Sequence, residues 1–213
     1  ICEKEKPERC EICGKAPCEC EKKPKPKMVV VKLSDGKVRE LDSMIQTSFW
    51  SPDGKPISSQ EFLESLFTTL PEFFNSEDEL RAIWSKPDTR KKLLQRLEEH
   101  GHSQSQLEDL QRMIHAEDSD LYDVLAYVAY TASPIKRTQR AEFVKSHFSQ
   151  YESKQRVFLD FVLKQYVDSG VAELDDDKLP ELLTLKYQAI ADAKHELGDI
   201  SFIRETFIGF QEY

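Results

Sequence analysis

The sequence predicts a mainly α fold, a multi-helix domain entered through a short β-hairpin and preceded by a cysteine-rich segment. Three observations carry this reading. From Ser58 onward apolar residues recur at three- and four-residue spacing; between Met28 and Gly54 the apolar runs are short and bounded by turn residues; and all five cysteines fall within the first 20 of 213 positions. A hydrophobic content of 39%, with 10% aromatic residues, suffices for a core, and 32% charged residues give it a polar exterior. No run approaches the roughly 18 apolar residues that cross a bilayer, and the N-terminus lacks the pattern of a secretory leader. Membrane and secreted classes are therefore set aside, and a reducing, cytoplasmic compartment is expected. The chain opens on Ile1 and its first methionine is Met28, which predicts a piece of a longer polypeptide.

Three regions follow. Residues 1–27 form a Cys-rich knuckle and Lys/Pro linker, 28–57 a small β segment, and 58–213 a helical domain. Met28 to Leu33 reads as a strand, turned by Ser34-Asp35-Gly36-Lys37. A second extended segment, with Leu41, Ile45 and Phe49 on one face, ends at Ser51-Pro52-Asp53-Gly54. Ser58 or Ser59 then caps a helix carrying Phe62, Leu63, Leu66, Phe67 and Leu70, which Pro71 ends. A short helix runs to Trp84, stopped before Pro87. Asp88 caps the next, with Leu93, Leu94 and Leu97, up to Gly101, and another starts near Ser103 with Leu107, Leu110 and Ile114. Leu121, Val124, Leu125, Val128, Ala129 and Ala132 make the longest stripe, a continuous face that needs a partner surface along its length. Beyond Pro134 come helices over Thr138–Phe148 and Ser153–Asp168, the latter closed by Gly170, and a last helical region over Leu179–Tyr213 broken near Gly198.

Charge is unevenly distributed. Residues 1–27 hold eight Lys/Arg against six Glu, a net +2, leaving 22 basic against 33 acidic residues, a net −11, for the remainder of a chain whose total is −9. An acidic body repels phosphates, so protein partners suit it better than bare DNA.

Most catalytic constellations cannot be assembled. Seven glycines form no phosphate-cradling loop, and no Gly-x-Ser-x-Gly elbow accompanies His100, His102, His115, His147 and His195, which read as exposed helix-end residues. Asp175-Asp176-Asp177 lacks the spacing of a calcium loop and reads as a solvated turn at a helix N-terminus. The cysteine cluster is the sharpest signal. Cys10-Glu11-Ile12-Cys13-Gly14 is a knuckle that places two thiolates on one tetrahedral metal, and Cys18 and Cys20 complete a four-sulfur zinc site, with Cys2 as a substitute. The one-residue spacing of Cys18 and Cys20 departs from a normal knuckle; a disulfide framework and a linker with incidental thiols are the alternatives. In Ile135-Lys136-Arg137-Thr138-Gln139-Arg140 three cations could meet phosphates or an acidic partner, or simply form the exposed start of a helix. Tyr122, Tyr127 and Tyr130 could stack on a partner, though tyrosines on a helix flank are usually peripheral core.

From about Asp118 the sequence resembles the C-terminal helical domain of the restriction (R) subunit of type I restriction-modification enzymes, of the EcoEI-like family. The resemblance is carried by Asp120-Leu121-Tyr122-Asp123-Val124-Leu125-Ala126-Tyr127-Val128-Ala129-Tyr130, by Pro134 with Arg137-Thr138-Gln139-Arg140-Ala141, by Lys164-Gln165-Tyr166-Val167-Asp168-Ser169-Gly170-Val171 with Glu173-Leu174, and by Phe207-Ile208-Gly209-Phe210-Gln211. It extends more loosely back to Trp50-Ser51-Pro52-Asp53-Gly54-Lys55. The resemblance implies a parent chain with a nuclease domain and two ATP- and magnesium-dependent helicase lobes that move DNA. It also implies a C-terminal region that docks on the core of methyltransferase and specificity subunits. No catalytic residue carries over to this chain. Arg137 and Arg140, or the terminal Phe207 and Phe210, are the expected partner contacts, with a core role the alternative for the phenylalanines. A zinc-knuckle adaptor that binds nucleic acid directly is the second reading. It needs base-stacking aromatics near the cysteines, and none lies between Ile1 and Leu33. A helical enzyme with buried carboxylates is third, and no Glu-x-x-His pair within one helix supports it.

Overall fold

The computed structural model describes residues 27–212; the proposed zinc ligands Cys10, Cys13, Cys18 and Cys20 lie outside them. Strands β1 (Met28–Lys32) and β2 (Val38–Asp42) pair antiparallel in the register Met28↔Asp42 to Lys32↔Val38, closed by the turn in which Leu33 O accepts from Gly36 N. Strands β3 (Phe49–Trp50) and β4 (Pro56–Ile57) form a separate two-stranded ribbon. The single hairpin expected from the sequence is thus two. Asp42 breaks the second segment: its carboxylate accepts the Met44 N–H at 2.8 Å and its carbonyl that of Ile45, turning the chain before Phe49.

Ten α-helices follow among the described residues. The first five are α1 (Ser59–Thr69), α2 (Glu77–Trp84), α3 (Pro87–Glu99), α4 (Gln104–Met113) and α5 (Leu121–Tyr130). Ser58 caps α1 in a reciprocal box with Glu61, and Ser103 does the same for α4 with Gln106. Pro87 opens α3 rather than only stopping the helix before it. Its missing N–H costs nothing in a first turn, so Lys86, not Asp88, holds the cap position. Gly101, at φ +87°, is fixed by contact as well as by conformation: a Cβ there would lie 2.5 Å from Pro52 Cγ, so the β3–β4 turn sits directly on the α3–α4 turn. These helices enclose one core that includes Phe49, Phe62, Leu66, Phe74, Leu97 and Leu125, with β1–β2 laid against it through Val31, Leu33 and Leu41. Helix α5 runs through its centre, buried on nearly every side, which is what its long apolar stripe requires.

Thr131, left-handed at φ 64°, ends α5, and an extended link leads to α6 (Arg137–Lys145) and α7 (Ser153–Ser169). Then come α8 (Leu179–Tyr187), α9 (Ile190–Leu197) and α10 (Ile200–Gly209). The last helical region breaks twice, at Gly198 as expected and also at Gln188, whose φ of 69° the sequence does not betray. A second core, including Phe158, Val162, Leu183, Phe207 and Phe210, forms around α7. Phe207 and Phe210 are buried in it, which settles them as core residues. No helix among the described residues is long and apolar enough to cross a membrane.

Two polar groups differ from their sequence readings. His102 is 2% exposed, not a surface residue: it meets the Phe62 ring edge-on, and its Nε2 lies 3.4 Å from Thr69 Oγ1. Burial, and then the nearby His100, lower its pKa to about 4. The 175–177 acids are not merely solvated. Asp175 pairs with the buried Arg90 at 2.7 Å and with Lys91 at 3.1 Å, and Asp176 pairs with Arg204, so the turn fastens α3 and α10 to the start of α8.

Candidate functional site

The two cores meet along a polar seam, and the basic segment singled out in the sequence lies in it. The Arg137 backbone N–H donates to Asp118 O at 2.7 Å. Its guanidinium donates to the carbonyls of Ser119 at 2.5 Å, Glu117 at 3.1 Å and Val167 at 3.4 Å, fastening α6 to the loop before α5 and to the end of α7. One turn on, Arg140 Nη2 donates to both carboxylate oxygens of Asp123 at 2.9 and 3.1 Å, and its guanidinium lies 5.2 Å over the Tyr122 ring. Asp123 also accepts the backbone N–H groups of Asp120 and Ile135, both at 3.0 Å. Each arginine expected to contact a partner therefore already holds the chain together, and neither is a free surface cation.

Asp120 completes the seam. It is buried at the N-cap of α5 and accepts the Tyr166 hydroxyl of α7 at 2.6 Å. Burial pushes its carboxyl above the ordinary carboxylate range, partly opposed by the Tyr166 hydrogen bond and the Arg140 charge. Burial and the Asp120 charge push the Tyr166 phenol up, so its proton stays on the hydroxyl and points at Asp120. This arrangement joins the two cores.

Beside the seam a cleft of about 590 Å³ opens between the two cores. Its walls are the end of α2 (Arg81, Trp84), the start of α5 (Asp120, Tyr122), α6 (Gln139, Arg140, Phe143, Val144), α7 (Leu163, Tyr166) and the C-terminal turn (Phe210, Gln211). Four buried side-chain nitrogen or oxygen atoms among the described residues have no hydrogen-bond partner, and three of them, Trp84 Nε1, Arg140 Nε and Gln211 Oε1, belong to residues of this cleft. Arg140 Nε stands 3.9 Å from Asp120 Oδ2, beyond hydrogen-bonding reach. Gln211 is held by its Nε2, which donates to Leu174 O at 2.9 Å and Phe207 O at 3.0 Å, leaving its Oε1 uncommitted. No group of three or more metal-ligating side chains occurs among the described residues.

The sequence reading brought Arg137, Arg140 and Tyr122 to notice but not Trp84 or Gln211, which the chain places 127 positions apart. The elements that frame the cleft are also those in which the comparisons with known proteins find their match. Residues 60–213 match the family described as EcoEI R protein C-terminal. The chain belongs to this family. It is also similar to the type I restriction enzyme EcoAI endonuclease subunit of Escherichia coli, 27% identical over 139 residues, which span 64% of this chain and 16% of that protein. No solved structure matches. Membership makes this a C-terminal R-subunit domain, and α2 to α10, with the seam and cleft between its two cores, lie inside the matched region.

Proposed function

We propose that the chain is an assembly domain that docks the ATP-dependent, DNA-translocating nuclease of its parent R subunit onto the methyltransferase-specificity core of the same complex. The observation that supports this best is family membership over residues 60–213, a stretch in which the described side chains build two packed cores and the polar seam between them. The charge balance agrees: a net −11 over residues 28–213 makes phosphate contact unfavourable, and the cations nearest to a basic patch, Arg137 and Arg140, are taken up within the chain. Docking then proceeds by packing more than by charge, with DNA reached through the rest of the complex. ATP and magnesium act in the parent chain's motor and nuclease domains in this reading. In the N-terminal segment, Cys10, Cys13, Cys18 and Cys20 hold a structural zinc, so metal analysis of protein purified without chelator should return about one zinc per chain.

The test is co-sedimentation of the chain with the purified methyltransferase-specificity core, with and without DNA. Co-sedimentation independent of DNA is the expected result. If the chain ignores the core yet binds bare duplex at physiological salt, the adaptor reading replaces this one.

A further inference from the structure

We infer that the cleft between the two cores is a docking pocket for an uncharged segment of a partner protein, which inserts one aromatic or aliphatic side chain and pairs its peptide group with Trp84 Nε1, Arg140 Nε and Gln211 Oε1. The inference rests on the docking reading and specifies where and by what chemistry docking occurs.

Three features select this occupant. The first is the polar complement. Two N–H donors and one carbonyl acceptor on residues that line the cleft stand unpaired, and leaving such atoms buried without partners is costly. A peptide chain carries both a carbonyl acceptor and an N–H donor at nearly every residue. The second is charge. The cleft's ionic groups are already matched inside the chain, Arg140 to Asp123, Arg90 to Asp175, Arg81 to Glu77 at 3.1 Å and Asp120 to the Tyr166 hydroxyl and the Arg140 charge, so a charged occupant would lose its hydration and find no free counter-ion. The third is the rim. Ile135 and Phe143, 45% and 61% exposed, continue the apolar lining out of the cleft onto the outer side of α6. A small molecule held inside would leave that rim in water, whereas a protein surface covers it. A concave aromatic centre with an apolar shoulder is the usual anatomy of an interface anchor point.

Two arms test this. Trp84 and Trp50 are the two tryptophans of the chain, and Trp50 lies on β3 away from the cleft, so 15N-labelled indole signals, assigned with Trp50→Phe, report the cleft separately. Millimolar N-acetyl-tyrosinamide or N-acetyl-leucinamide should shift the Trp84 indole signal saturably and leave that of Trp50 in place, while N-acetyl-argininamide should not. No saturable shift with either neutral probe, or an equal one with the charged probe, overturns the inference. In the second arm, Ile135→Glu and Phe143→Glu, whose exposed side chains leave the fold intact, should each weaken binding to the methyltransferase-specificity core by about tenfold or more. Leu185→Glu, equally exposed on α8 but outside the cleft, should not. If the chain docks and both rim variants dock equally well, the pocket assignment falls and the docking reading stands. If the wild-type chain does not dock at all, the docking reading falls and takes the partner assignment with it.

Discussion

The two cores of this domain are built on different principles. Among the described residues the first, residues 31–128, buries Arg39, Asp42, Arg90, His102, Gln106, Ser119, Asp120 and Asp123 along with its apolar side chains. The second, residues 141–210, buries only Gln155 and Thr206, which hydrogen-bond to each other at 3.2 Å. Polar burial in the first core joins elements that are far apart in sequence. Arg39, wholly buried, donates to the carbonyls of Tyr127 and Val128 at the end of α5, the shortest contact being 2.6 Å, and so fixes β2 to the central helix. Among the described residues the second core has one buried long-range polar contact of its own, the neutral Gln155–Thr206 pair between α7 and α10, and no buried charge, so it relies mainly on packing around α7. It is fastened to the first by Asp123–Arg140, Asp120–Tyr166 and Asp175–Arg90. Removing one end of a buried charged contact strands the other end, whereas shrinking an apolar side chain leaves only a cavity, so the two halves should fail in different ways.

The largest effect is expected in the apolar half. Phe158→Ala, at a wholly buried position on α7, should cost about 4 kcal/mol in urea unfolding. Because the polar half holds itself together, near-ultraviolet signals from its two tryptophans should persist to higher urea than α7–α10 helicity in this variant. Coincident loss of both signals would mean that the seam couples the cores into one cooperative unit. Next, Arg39→Met should cost about 3 kcal/mol, since it leaves the buried Val128 carbonyl without its donor and takes one of two donors from Tyr127 O while nearly conserving volume; a cost under about 1 kcal/mol would show that the clamp contributes little. Asp123→Ala at the seam should cost about 2 kcal/mol, for it strands the Arg140 charge and two backbone donors. Its sharper signature is faster hydrogen exchange in α6 than in α4.

The smallest effect concerns pH. His102 has its pKa depressed on folding, so the unfolded chain binds its proton first as pH falls. The contribution of a neutral His102 is therefore present above its ordinary value near 6.5 and is lost progressively as pH falls toward about 4. His102→Phe should flatten the stability profile in that window. An unchanged slope would place the sensitivity elsewhere.

Legibility in the sequence follows the same division. Helices α1, α4, α5 and α7 are readable because their apolar spacing, the serine caps of α1 and α4 and the glycine that ends α7 are local signals, and the helical class of the fold follows from them. The two hairpins and the second break at Gln188 are less readable. The first depends on Asp42 bonding its own neighbours, and the second on an exposed glutamine at positive φ, a conformation its residue type does not signal. The site is legible only in its parts. The basic turn at 136–140 stands out as charge, but its acidic partners Asp120 and Asp123 look like an ordinary helix cap, and Trp84 and Gln211 give no sign of facing one cleft. Spacing along a chain records which face of an element is apolar; it does not record which distant elements share a wall. Likewise the buried state of His102 comes from Phe62 and Thr69, forty and thirty-three positions away.

Hydrogen exchange of the chain, alone and with the methyltransferase-specificity core, tests the central claim most directly. Slower exchange on binding is expected in α6, in the last turn of α2 and in the turn at 210–212, with β1–β2 and α8 unchanged. Protection confined to β1–β2, or none at saturating core, would contradict it.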